Sequence, residues 1–243
     1  MTALYAFVDA TASTAAIAAD NFEANNKIVV DKLRVVSQKF VVGVTGQDIS
    51  MHVVSVLAEY SAIPNLSWRV PSTVSDLAHT VLSGVRALAT VLHPKYMAAV
   101  KKGEISAHVW ETVLKSSAHL IVLDLEALTL STVDLGSAFP PTALLSTPTV
   151  TTLSRGTLYP FALSAKRTTA TAVVSALTDA PEAYLDAEIQ KDRAQYPASI
   201  GLPGACVTVV NGSVRFRSAH SSAANYLSQQ ANAVRGYSIC VIA

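Results

Sequence analysis

Asn211-Gly212 stands between two valine-rich runs, and no other dipeptide in this chain restricts its folding as strongly. A two-residue type I′ turn needs φ > 0 at both central positions, which Asn and Gly tolerate, so the pair predicts a β-hairpin. Folding about it fixes a register: Val210 opposite Ser213, Val209 opposite Val214, Thr208 opposite Arg215, and Val207 opposite Phe216. Side chains alternate across a strand. One face then holds Val207, Val209, Val214 and Phe216, and the other holds Cys206, Thr208, Arg215 and Arg217. The first is expected to be buried and the second to be an open, basic face.

The second firm element is a helix over 72–93. Val74, Leu77, Ala78, Val81, Leu82, Val85, Leu88, Ala89 and Leu92 recur at helical spacing and form one apolar stripe. Ser72 is the candidate N-cap, Asp76 suits the first turn, and Pro94 is expected to end the helix near His93. A shorter helix is expected over 50–61. Another should run from Tyr96 to Lys102, closed by Gly103, and a third should carry Trp110. Asp179-Ala-Pro181-Glu182 reads as the start of a helix that buries Tyr184, Leu185 and Ile189. A last helix is expected over 222–235, followed by a terminal strand from Tyr237. The segment 27–44 and the apolar run after His119 fit helix and strand equally well. Residues 136–165 contain four prolines among Ser and Thr, with no helical period. Together these features predict an α+β chain with a mostly helical N-terminal half and a C-terminal unit containing the hairpin and terminal strand. The expected division is a lobe over 1–135, an extended loop or arm over 136–165, and a second lobe over 166–243.

Charge is scarce. Only 14% of the 243 residues are charged, 51% are hydrophobic, and the formal net charge is +1. Ala, Val, Ser and Thr supply 114 of the 243 residues. Such a composition excludes a disordered chain. It also excludes a polycationic nucleic-acid clamp, since no segment concentrates Lys and Arg. No apolar stretch reaches membrane-spanning length without a charge, and the N-terminus lacks the basic region of a secretory signal. With two cysteines, Cys206 and Cys240, a disulfide framework is not expected. The expected setting is therefore a virion or host cytoplasm, with no secretion and no membrane. A surface poor in charge also suggests that part of the exterior is covered by copies of the same chain.

Motifs that would name a chemistry are missing. There is no GxGxxG, no GxxxxGK and no GxSxG, and His108-Val-Trp-Glu111 lacks the second histidine of a metalloprotease helix. His108 and His119 would share a face only on an unbroken helix. Asp124 and Glu126 could act as an acid/base pair on a strand, although a solvent-facing edge explains them more simply. Asp186, Glu188 and Asp192 read as the solvated face of a helix, with Lys191 and Arg193. No metal ligands, cofactor site or catalytic residues emerge. Lys27, Lys32, Arg34 and Lys39 fall in one segment, Lys166 and Arg167 follow the long loop, and Arg215, Arg217 and Arg235 belong to the C-terminal unit. Convergence of Arg215, Arg217, Arg235, Lys166 and Arg167 would form a groove for the backbone of single-stranded RNA.

This composition is similar to that of coat proteins of RNA viruses as a class, although no segment carries a motif of any one family. What the similarity implies is a self-assembling structural protein, a coat or nucleocapsid-type subunit of a shell or filament, whose partners are its own copies and, if the basic groove forms, single-stranded RNA, or else a shell with little direct genome contact. The alternative is a soluble cytosolic enzyme or ligand-binding domain whose site is dispersed along the chain and so invisible to a motif search.

Overall fold

The computed structural model describes residues 3–23, 28–29, 31–46, 48–61, 71–161, 171–172, 180–217 and 237–239. The elements in chain order are β1 (Leu4–Val8), β2 (Thr14–Asp20), β3 (Phe22–Glu23), β4 (Ile28–Val29), β5 (Leu33–Val36) and β6 (Phe40–Thr45). Then come α1 (Asp48–Ser61), α2 (Val74–Lys101), α3 (Ala107–Lys115), β7 (His119–Asp124) and β8 (Thr129–Gly136). The remainder comprises β9 (Leu144–Thr152), β10 (Thr157–Pro160), β11 (Thr171–Ala172), α4 (Pro181–Gln195), β12 (Pro203–Val210), β13 (Ser213–Arg217) and β14 (Tyr237–Ile239).

Two sheets stack face to face. The first has the order β11-β10-β1-β2-β12-β13-β14 and the second β5-β6-β7-β8-β9. Alternation along each strand sorts the apolar residues into three layers of core. Leu4, Ala6, Val8, Ile17, Val207, Val209, Val214 and Phe216 of the first sheet meet Leu33, Val35, Val41, Ile121, Leu123 and Leu130 of the second. On the far side of the second sheet, Phe40, Val42, Val44, Leu120, Val122 and Val133 meet the buried stripes of α1 and α2. On the far side of the first, Tyr5, Phe7, Ala16, Ala18 and Cys206 meet Leu185 and Ile189 of α4. The architecture is thus α–β–β–α, a four-layer sandwich.

Layering explains the composition. A sheet covered on both faces reads as a continuous apolar run, and every described residue of β1 and β2 is buried. Low charge therefore reflects two internal sheets, with no covering partner needed to account for it. Gly43 marks how closely the sheets approach, because a Cβ there would overlap Leu4 and press on Leu33 and Ile17.

The expected mostly helical N-terminal half is overturned. Residues 1–135 open with six strands before α1, and the undecided segments 27–44 and 119–124 supply β4 to β6 and β7. Valine and isoleucine fit a pleated surface buried on both sides, a placement that their short-range spacing could not distinguish from a helix. Residues 136–165, expected as a loop or arm, supply β9 at the edge of one sheet and β10 inside the other. Pro148 is tolerated because β9 is an edge strand. Strands from 1–135 and from 166–243 share the first sheet, where β2 pairs with β12. The helix expected over 72–93 continues through Pro94 to Lys101, capped by Thr73 rather than Ser72. Aromatic packing holds both sides of the proline: His93 lies 5.9 Å from Trp110 and Tyr96 lies 5.4 Å from Phe139, ring centre to ring centre. The hairpin register is as the sequence predicts, pair by pair. Residues 222–235 and Cys240 lie outside the described residues.

Candidate functional site

The basic residues singled out from the sequence do not form a described groove. Arg215 is exposed on β13. Arg217 is turned into the protein: its guanidinium donates to Glu182 at 2.6 Å, to Asp186, and to the carbonyl of Gly204 at 3.2 Å. Those two acids hold it firmly charged, against the burial that works the other way. The hairpin face expected to be open is covered by α4 around Cys206 and Arg217, with Thr208 also buried, and only Arg215 of that face stays exposed. Lys166, Arg167 and Arg235 lie outside the described residues.

The other candidates also have structural tasks. Asp124 closes β7, its carboxylate accepting the amides of Glu126 and Ala127 at 2.9 Å each, and Lys39 bridges it to Glu126. His108 lies on α3 and His119 on β7, so no helix joins them. Asp186 pairs with Arg217, and Asp192, expected on a solvated face, is buried. Among the described residues, no three His, Cys, Asp or Glu side chains are grouped to hold a metal ion. No helix among them is long and apolar enough to cross a membrane.

A different constellation occupies the end of the sandwich where β1 begins and β2 ends. Asp20, fully buried, is the last residue of β2. Its Oδ1 accepts the amide N–H of Ala3 at 2.8 Å and the ammonium of Lys32 at 2.8 Å. Its Oδ2 accepts the amide N–H of Gly201 at 3.0 Å. The Asp20 amide in turn donates to the Ala3 carbonyl at 2.9 Å, which locks the two strand ends together. Lys32, also buried, enters from the segment leading into β5. A break in the β2–β12 register between Pro203 and Cys206 lies beside Asp20, as expected where a bulge redirects a strand end.

The second sheet closes this end from the other side. Leu33 pairs with Gly43, so the start of β5 and the end of β6 lie together, and Gly43 faces Leu4. Two residues beyond β6's last apolar position, Gly46 turns the chain toward α1 with φ +92°. A side chain at Gly46 would collide with the carbonyl of Ser117, so the corner requires glycine. The site thus combines an ion pair withdrawn from water with the backbone of Ala3 at the start of β1.

Sequence reasoning named Lys32 only as one of four basic residues and passed over Asp20. Twelve positions separate the two, and Gly201 is 181 positions from Asp20. One trace was legible: an acid closes the alanine-rich run 15–19, and a lysine opens the valine-rich run that follows.

The sequence matches no family model and none of the curated proteins. Among solved structures, the chain is similar to Anbu (ancestral beta-subunit) from Yersinia bercovieri, with a TM-score of 0.52 and 12% identity over 95% of this chain and 92% of that one. The likeness is one of fold. A Gly-1 mutant of Anbu from Hyphomicrobium sp. strain MC1 aligns at a TM-score of 0.48 and 15% identity, over 97% of this chain and 95% of that one. The expected capsid protein is overturned by the likeness to Anbu from Yersinia bercovieri, and the composition that motivated it is accounted for by the stacked sheets.

Proposed function

We propose that the protein hydrolyses amide bonds with Thr2 as an N-terminal nucleophile, freed when the Met1–Thr2 bond is cleaved. The observation that carries this reading is the buried Lys32–Asp20 pair bonded to the amide of Ala3, the residue covalently next to Thr2. A buried ion pair adds little net stability over apolar side chains of similar volume. Its placement against the start of β1 is therefore better explained by chemistry than by folding.

A threonine hydroxyl is a weak nucleophile until a neighbouring base takes its proton, and the α-amine of an N-terminal threonine is such a base. In the proposed reaction, Thr2 Oγ adds to the substrate carbonyl while its proton passes to the α-amine. The Lys32 ammonium favours the negative charge that develops on oxygen, and Asp20 holds that ammonium in place. Amide N–H groups at the N-terminus of α1, just past Gly46, are the candidate donors to the tetrahedral oxyanion. Collapse expels the amine, protonated by the α-ammonium, and leaves an ester on Thr2. Water, deprotonated by the same α-amine, then cleaves the ester and regenerates the hydroxyl. The fold shared with Anbu supports the arrangement of layers on which this chemistry rests.

Intact-mass measurement on purified protein, followed by turnover of a fluorogenic peptide amide and labelling with a peptide β-lactone, tests the proposal. The expected result is a chain beginning at Thr2, one lactone adduct on that residue, and loss of turnover in Thr2→Ala. Turnover undiminished in Thr2→Ala would sink the proposal.

Self-association is a second reading. Val56 and Tyr60 on α1, Val91 on α2 and Val109 on α3 are each about half exposed on the helical layers. Light scattering after gel filtration tests it, and a lone 25.5 kDa species would refute it.

A further inference from the structure

We infer that the hydrogen bond between Tyr5 and Asp192 is a positioning lock that holds Asp20 oriented toward Lys32, an inference that rests on the reading of this site as catalytic. Tyr5 lies on the face of β1 that meets α4, and its hydroxyl donates to Asp192 Oδ2 at 2.6 Å. Both residues are buried. Asp192 extends the apolar stripe of α4, since Leu185, Ile189 and Asp192 share the helix face turned to the sheet. An apolar residue would pack there at no cost, whereas a carboxylate must be hydrogen-bonded to be tolerated.

The bond closes a ring. The Tyr196 amide donates to the Asp192 carbonyl at 2.8 Å, and the Tyr196 carbonyl accepts the amides of Ser199 and Ile200 at 3.0 Å each. The next residue, Gly201, donates to Asp20 Oδ2, and one position further on the Leu202 carbonyl accepts the Asn21 amide at 3.1 Å. From Asp20 the path returns through Oδ1 to Ala3, two residues before Tyr5. The two carboxylate oxygens of Asp20 are thus held by two segments, the start of β1 and the turn after α4. Tyr5–Asp192 is a buried side-chain link between β1 and α4 that holds those segments relative to each other. Without it the turn can shift while both core layers remain packed. Asp20 then loses the angle at which it meets Lys32, and small misplacements of this kind are costly in rate. Tyr5 and Asp192 are positioning residues and touch no substrate.

The test compares Tyr5→Phe, Asp192→Ala and Asp192→Asn in the full chain, the last retaining an acceptor for the tyrosine hydroxyl. Three readouts are taken: kcat and KM on the fluorogenic peptide, amide exchange at Ala3 and Gly201 by NMR, and urea unfolding. Tyr5→Phe and Asp192→Ala should lower kcat by roughly 10- to 100-fold with KM within about twofold. Exchange at Gly201 should quicken by about tenfold or more in both, and Asp192→Asn should restore both values. Tyr5→Phe carries the test alone if Asp192→Ala does not fold. A folded Tyr5→Phe with wild-type exchange at Gly201 and wild-type kcat overturns the lock. Equal losses in Asp192→Asn and Asp192→Ala overturn it too. If the wild type hydrolyses nothing while exchange responds as described, the proposed reaction fails and the lock stands.

Discussion

Replacing Lys32 with methionine removes a charge whose counter-ion cannot reach water. The Asp20 carboxylate is fully buried, and the Lys32 ammonium lies 2.8 Å from it. After the substitution the carboxylate keeps the amide donors of Ala3 and Gly201 but loses the Lys32 ammonium. Removing one member of a buried pair costs about 3–5 kcal/mol. In a chain of this size each kcal/mol moves the midpoint by about 2–4 °C, so Lys32→Met should melt roughly 6–20 °C below wild type. Asp20→Asn instead takes the carboxylate charge away from the buried Lys32 ammonium and sets an amide group against the Gly201 N–H. The double variant loses both charges and should be more stable than the two single losses added together, by about 2 kcal/mol or more. Thermal melts and urea titrations of the four proteins at pH 7 measure this. A Lys32→Met protein melting within about 2 °C of wild type would refute the reasoning, because the pair would then be solvated and not an organised part of the site.

The remaining predictions concern the layers around the site. Gly43→Val drives a branched side chain into Leu4 where the sheets touch and should cost about 1–3 kcal/mol in urea unfolding; wild-type stability would show that the sheets stand further apart. Burial pushes the Cys206 thiol well above its usual range, with Arg217 opposing and Glu182 and Asp186 reinforcing it. In a Cys240→Ser background Cys206 should ignore Ellman's reagent until urea is added, and rapid native labelling would contradict the burial. Asp9 titrates below the ordinary aspartate range: burial acts upward, and bonds from Ser13, Thr14 and Thr11 together outweigh it. A depressed carboxylate contributes stability that is present above its unfolded value, about 3.9, and lost as pH falls through the folded one. Asp9→Asn should therefore melt lower than wild type at pH 7, by about 1 kcal/mol, and match it near pH 2. A gap that persists at pH 2 would point to lost packing instead.

What the sequence determined by itself was local. Asn211-Gly212 set the hairpin register because a two-residue turn leaves one way to pair its flanks. The stripe from Val74 to Leu92 set α2 because its period is intrinsic to the helix. Pro181 set the start of α4 because its ring suits a first helical turn. Tertiary structure decided the rest. Pro94 lost its power to end α2 because His93, Tyr96, Trp110 and Phe139 pack around it. Val-rich segments became strands because two stacked sheets needed residues buried on both faces, and that same burial left so little of the chain charged. Arg217, legible as an open-face cation, was turned inward by two acids of a helix 31 and 35 positions away. Asp20, Lys32, Ala3 and Gly201 carry no shared motif, because their proximity comes from strand ends meeting across the fold and not from spacing along the chain. Spacing reports only what neighbours in sequence do to one another, and this site is made by residues that become neighbours when the sheets close.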